Sequence, residues 1–127
     1  MIRVLIADDS EDTAQMLARF LESRGYECRV ALGGEVALQL FERERFDLVT
    51  VDLLMPEITG YEVAEKIRER DKQTPILLIT GQGEDVLVTP HARRAGINDV
   101  LFKPVDPPAL LAKVEELTGR RAGRGKG

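Results

Sequence analysis

The stretch Phe46-Asp47-Leu48-Val49-Thr50-Val51-Asp52 decides the fold of this 127-residue chain. A short run rich in apolar and β-branched residues reads as a strand. This one runs directly into a carboxylate, and a loop through Met55-Pro56 to Gly60 follows. Other runs share the design. Ile2-Arg3-Val4-Leu5-Ile6-Ala7 runs into Asp8-Asp9, Ile76-Leu77-Leu78-Ile79 into Thr80, and Val100-Leu101-Phe102 into Lys103-Pro104. In an open parallel sheet the strand C-termini share one edge, and ligands sit in the crevice there. That edge gathers the carboxylates of Asp8, Asp9 and Asp52, the Thr80 hydroxyl and the Lys103 ammonium.

Amphipathic segments separate the strands. Ser10 is placed to cap a helix whose apolar face is Met16, Leu17, Phe20 and Leu21, with Gly25 as its stop. Glu27 to Ala31 is a second strand, less apolar and therefore expected at an edge. Gly33-Gly34 makes a turn, and Val36, Ala37, Leu40 and Phe41 mark the face of a second helix. Tyr61, Val63, Ala64 and Ile67 mark a third. Thr74-Pro75 breaks into the fourth strand, and Gly96 closes a fourth helix. Asp106-Pro107 supplies a cap and a first helical residue for a fifth helix carrying Leu110, Leu111, Val114 and Leu117. Alternating elements of this kind predict an α/β fold, (βα)5, with right-handed crossovers placing helices on both faces of a parallel sheet.

Residues 1–118 are expected to form one domain. Residues 119–127 lack apolar periodicity and are expected to be a disordered, basic, Gly-rich tail. The formal charge is −4, yet the tail holds Arg120, Arg121, Arg124 and Lys126 and no acid. Without the tail, 14 basic residues face 22 acidic ones, a net −8. Such an acidic body disfavours direct nucleic-acid binding by the domain. The single cysteine, Cys28, excludes an internal disulfide. No apolar run reaches membrane-spanning length, and no signal-peptide pattern opens the chain, so a cytoplasmic protein is expected.

The convergent residues suit a divalent cation and a phosphoryl group. Magnesium prefers oxygen ligands, and clustered carboxylates without a cation repel and raise one another's pKa. Each residue alone has an ordinary reading: Asp8-Asp9 as a turn or helix cap, Asp52 as a turn start, Thr80 as a strand residue, Lys103 as a surface lysine. Their joint placement at strand ends favours the site. His91, the sole histidine, lies in a helix without a partner pattern and is read as exposed and structural.

Asp8-Asp9, Asp52 with Met55-Pro56 and Gly60, Thr80, and Lys103-Pro104 resemble, in order and spacing, the signature of the response-regulator receiver domain of two-component signalling. The resemblance covers residues 1 to 118. It implies a flavodoxin-like three-layer sandwich with strand order 2-1-3-4-5. It also implies that Asp52 accepts a phosphoryl group from a sensor histidine kinase or phosphotransfer protein with Mg2+. Asp9 and Asp52 are then direct metal ligands, Asp8 acts through water, and the Leu54 backbone carbonyl adds an oxygen. Lys103 and Thr80 contact phosphoryl oxygens, and a cis bond before Pro104 aims the lysine. The output is altered binding to a protein target or effector domain, without enzymatic turnover beyond slow self-dephosphorylation. A pseudo-receiver acting as a phosphorylation-independent interaction module is the alternative. A multiple-turnover aspartyl-phosphate hydrolase expects an Asp where Leu54 stands. A flavin site expects a Ser/Thr/Gly-rich loop where Asp8-Asp9-Ser10-Glu11-Asp12 would repel phosphate.

The chain departs from the family around Thr80. Three positions before Lys103 the family commonly carries an aromatic residue whose rotation reports on the threonine, and here it is Val100. Gly81 stands where alanine is common. Pro90 predicts a shortened or displaced fourth helix starting at Thr89-Pro90, with a mobile loop before it. Leu54 and Gln82 flank the path of an attacking water, and an apolar Leu54 cannot orient that water.

Overall fold

The computed structural model describes residues 1–81 and 88–119. Five strands alternate with five helices: β1 (Arg3–Ala7), α1 (Glu11–Ser23), β2 (Glu27–Ala31), α2 (Gly34–Arg43), β3 (Leu48–Val51), α3 (Gly60–Arg70), β4 (Ile76–Thr80), α4 (Val88–Arg94), β5 (Asp99–Phe102) and α5 (Pro107–Thr118). All pairings are parallel and the strand order is β2-β1-β3-β4-β5. This is the expected α/β sandwich, and the less apolar β2 takes an edge.

The alternation of side chains along each strand divides the core between the two faces. Leu5, Val49, Val51, Ile76 and Leu78 pack with Val63, Ala64 and Ile67 of α3 and with Ala92, Ala95 and Ile97 in and after α4. Val4, Ile6, Leu48, Leu77 and Ile79 pack with Ala14, Leu17 and Leu21 of α1 and with Leu110 and Val114 of α5. Burial on both faces explains why β1, β3 and β4 are almost continuously apolar.

Local chemistry sets the helix ends. Ser10 caps α1 by accepting from the Thr13 N–H, and Gly25 follows the helix at φ 93°. Thr59 and Glu62 form a reciprocal capping box at α3. Asp106 caps α5 by accepting from the Ala109 N–H, with proline in the first turn. Gly119 closes that helix at φ 77°. Residues 120–127, the rest of the expected tail, lie outside the described residues.

Three expectations need correction. Met16 and Val36, assigned to apolar helix faces, are exposed, and the buried face of α1 instead uses Ala14 and Ala18. Gly34 belongs to α2 rather than to a turn, and glycine is needed there because a Cβ would meet Ile58 Cγ1 at 2.6 Å and Val63 Cγ2 at 2.8 Å. Helix α4 is short, as Pro90 suggests, but it begins at Val88, which makes Pro90 its third residue. The first four helical N–H groups have no intrahelical acceptor, so a residue without an N–H is tolerated throughout the first turn. Within the Gly81 to Pro90 stretch where a mobile loop was expected, residues 82–87, Gln82 included, lie outside the described residues.

Candidate functional site

The site is assembled by backbone pairing that continues past the strand ends. The Asp8 N–H donates to the Ala31 carbonyl at 3.0 Å, Asp52 N–H to Ala7 at 3.0 Å, and Lys103 N–H to Thr80 at 2.8 Å. Asp8, Asp52 and Lys103 are thus each held to the neighbouring strand by their own main chain. Thr80 also sits opposite Phe102 in the β4–β5 register. The Lys103-Pro104 peptide bond is cis, as the resemblance implies.

These constraints bring the acidic side chains together. Asp8, Asp9 and Asp52 each offer a carboxylate oxygen, and the three oxygens lie within 4.8 Å of one another. Asp8 and Asp52 are only 2% and 8% exposed, whereas Asp9 is open to solvent. The half-buried Lys103 spans the pair, with Nζ 3.0 Å from Asp8 Oδ2 and 3.2 Å from Asp52 Oδ2. Asp8 also accepts from the Ser10 N–H through Oδ1 at 2.9 Å, which ties the acidic corner to the cap of α1. Thr80 is 1% exposed at the end of β4. Leu54, two residues beyond Asp52, has a 56% exposed side chain.

The electrostatics follow from this crowding. Burial pushes the Asp52 carboxyl above the usual carboxylate range; Lys103 opposes the shift, and the Asp8 charge adds to it. Burial alone would lower the Lys103 pKa. Its hydrogen bond to Asp8 and the charges of Asp52 and Asp8 outweigh that, so it is held above its ordinary value. An isolated ion pair would lower the acid and raise the base. Asp52 departs from that pattern because its burial outweighs the pull of Lys103, and the charge of Asp8, which shares the same ammonium, adds to the shift. The cluster thus has more negative charge than its lysine neutralises. An all-oxygen donor set with excess negative charge fits magnesium better than a soft transition metal.

Gly60 matters more than a turn residue would. A Cβ there would lie 2.5 Å from the Asp52 carbonyl oxygen, and its N–H donates to Leu53 at 2.9 Å. The N-terminus of α3 is therefore pressed against the Asp52 backbone. Sequence reasoning missed the ring contact next along α3: Tyr61 meets His91 edge-on, with centroids 5.7 Å apart and planes at 81°. His91 is exposed, as expected. No apolar periodicity signals its partner, because the two residues are 30 positions apart on different helices.

The family description "Response regulator receiver domain" matches residues 4–115. The transcriptional regulatory protein SrrA of Staphylococcus aureus is 32% identical over 117 residues, 92% of this chain and 48% of SrrA. The chain thus spans about half the length of the curated relatives it matches. A receiver domain protein from Methanospirillum hungatei has the same fold at a TM-score of 0.89 and 28% identity, covering 94% of both chains. The response regulator TrrA of Thermotoga maritima, solved in complex with Mg(2+)-BeF, matches at a TM-score of 0.83 and 33% identity, covering 92% of this chain and 99% of that one.

Proposed function

The chain belongs to the response regulator receiver domain family of two-component systems, and we propose that Asp52 is its phosphoryl acceptor. The observation that carries this reading is the Lys103 ammonium spanning Asp8 and Asp52 beside the open carboxylate of Asp9. In the step, an Asp52 carboxylate oxygen forms a bond to phosphorus. The phosphorus–nitrogen bond of a partner's phosphohistidine breaks, and the imidazole nitrogen keeps the electron pair. Phosphoryl transfer depends on positioning and charge neutralisation. Lys103 supplies fixed positive charge to one phosphoryl oxygen, and the Thr80 hydroxyl donates to another.

Asp9 and Asp52 directly, Asp8 through water and the Leu54 carbonyl would hold a magnesium ion, which would supply charge neutralisation for the transferring group. The residues fit this role, since the donors are all oxygens and their excess negative charge calls for a hard cation.

The donor in this reading is a sensor histidine kinase or phosphotransfer protein, and the receiver is a protein target or an effector domain. The domain covers residues 1–118, with residues 119–127 as a basic appendage. The protein acts as a cytoplasmic signalling switch rather than a turnover enzyme. Among the described residues no helix is long and apolar enough to cross a membrane. The phosphorylation-independent alternative is disfavoured, because the acidic trio and its lysine are all present.

Incubation with Mg2+ and acetyl phosphate, followed by intact-mass measurement, tests the proposal. One phosphoryl adduct is expected on the wild type and none on Asp52→Ala. An unmodified wild type, or an adduct that survives Asp52→Ala, would overturn it.

A further inference from the structure

Helix α4 is attached to α3 at two points, and neither attachment passes through β5. Near its start, the exposed His91 ring stands edge-on to Tyr61 at 5.7 Å. Beyond its end, the Arg68 guanidinium donates to the Gly96 carbonyl at 2.9 Å and to Asn98 Oδ1 at 3.0 Å. That Asn98 oxygen also accepts from the Ile76 N–H at 2.8 Å. Between these points Ala92 and Ala95 are buried in the same cluster as Val63, Ala64 and Ile67 of α3.

On its other side α4 packs along β5. A hollow of about 100 Å3 lies between α4 and β5, walled by Ala92, Arg93, Val100 and Phe102. Val100 has no ring to fill it, and Phe102 remains 42% exposed.

The N-terminus of α3 abuts the backbone of the acceptor. Gly60 packs against the Asp52 carbonyl closely enough to exclude a Cβ, and Tyr61 is the next residue. A shift of the Asp52 backbone must therefore move the first turn of α3. Packed elements shift as units rather than deforming continuously, so that motion reaches the Tyr61 ring.

We propose that the Tyr61–His91 contact transmits occupancy of the Asp52 pocket to α4, in place of a rotating aromatic on β5. The proposal rests on the receiver reading of the Asp52 site. It names Tyr61 and His91 as positioning residues, since neither touches the reacting atoms.

NMR of the full chain, titrated with Mg2+ and beryllofluoride, provides the test. Amide signals of Asp9, Asp52 and Lys103 report occupancy. The imidazole protons of the sole histidine report the contact, and the amides of Thr89 and of His91 to Arg94 report α4. On saturation of the wild type, the His91 ring signals and the α4 amides are expected to shift. In Tyr61→Leu, and separately in the exposed-site variant His91→Ala, the pocket amides should respond as in the wild type while the α4 response falls by at least half. A fixed His91 signal in the saturated wild type, or α4 responses of wild-type size in both variants, would overturn the proposal. Pocket amides that ignore the titration would overturn the acceptor reading and this inference with it, a failure distinct from a silent His91 in an occupied pocket.

Discussion

The Lys103 ammonium lies 3.2 Å from the Asp52 carboxylate although 51 residues separate the two in sequence, and the same nitrogen reaches Asp8 at 3.0 Å. One cation serving two buried acids stores the site's positive charge where a phosphoryl oxygen would arrive. Removing a preorganised charge of this kind costs roughly a hundredfold in rate. Lys103→Ala should therefore slow phosphorylation by acetyl phosphate and Mg2+ by about that factor, read as the time course of adduct formation by intact mass. A rate within twofold of the wild type would show that the lysine serves packing alone.

Excess negative charge predicts a trade between stability and function. Burial and the Asp8 charge disfavour ionised Asp52, even with Lys103 beside it. Without metal, Asp52→Asn should be more stable than the wild type by about 1 kcal/mol, a few degrees in unfolding midpoint. Lys103 keeps Asp8 as its partner in the variant. Millimolar Mg2+ should raise the wild-type midpoint by mass action and raise that of the variant much less. Thermal unfolding of both proteins with Mg2+ and with chelator measures this. Equal magnesium shifts would mean that Asp52 is not a ligand.

The lifetime of the acyl phosphate should depend on Leu54. It stands two residues beyond Asp52, is 56% exposed, and its side chain offers no hydrogen bond to a water. Leu54→Asn introduces a donor and an acceptor there. Because positioned polar groups speed water attack by large factors, the variant should lose its phosphoryl group roughly tenfold faster. Decay of the adduct after rapid removal of acetyl phosphate gives both lifetimes, and equal values would rule out this role.

Much of the site and fold is legible in the sequence because it rests on local chemistry. Asp106-Pro107, Ser10 and Gly25 carry their own helix-end geometry, and the strand runs that end in Asp52, Thr80 and Lys103 announce one sheet edge. Relations that depend on three-dimensional packing are harder to read. Met16 and Val36 fit an apolar helix pattern but lie at its margin, where the neighbouring element does not reach them. The start of α4 eludes a proline rule because the whole first turn tolerates a missing N–H. Tyr61 and His91 meet only because α3 and α4 pack on the same face of the sheet. The close approach of Gly60 to the Asp52 carbonyl is likewise invisible before folding.

Glu57 holds a local strain between the acceptor and α3. It is exposed and adopts φ 76°, a left-handed conformation that costs a residue with a Cβ about 1–2 kcal/mol. Glycine removes that cost but adds unfolded-state entropy of about 0.5–1 kcal/mol. Glu57→Gly should therefore be net stabilising by about 0.5–1 kcal/mol. The measurement is the urea midpoint at unchanged m-value. A lower midpoint would show that the Glu57 side chain makes a contribution the backbone angle does not reveal.

Asp71 gives the clearest dependence of stability on pH. It ends α3, and its carboxylate accepts from the Thr74 hydroxyl at 2.6 Å, the Thr74 N–H at 2.9 Å and the Gln73 N–H at 2.7 Å. The Thr74 hydroxyl, followed by the backbone donors, holds the carboxyl below its ordinary pKa against a small opposing effect of burial. A depressed folded-state pKa means that the folded chain binds this proton less readily than the unfolded chain does. The stabilisation is then complete above the unfolded value of about 3.9 and is lost as pH falls through the lower folded value. Asp71→Asn keeps an acceptor oxygen but no charge, so at pH 7 it should be less stable by on the order of 1 kcal/mol. That gap should narrow below about pH 4, where the unfolded wild type takes up the proton that the folded chain still resists. Urea unfolding of both proteins at neutral pH and near pH 3 measures the gap, and an undiminished difference in acid would mean that shape rather than charge holds the turn.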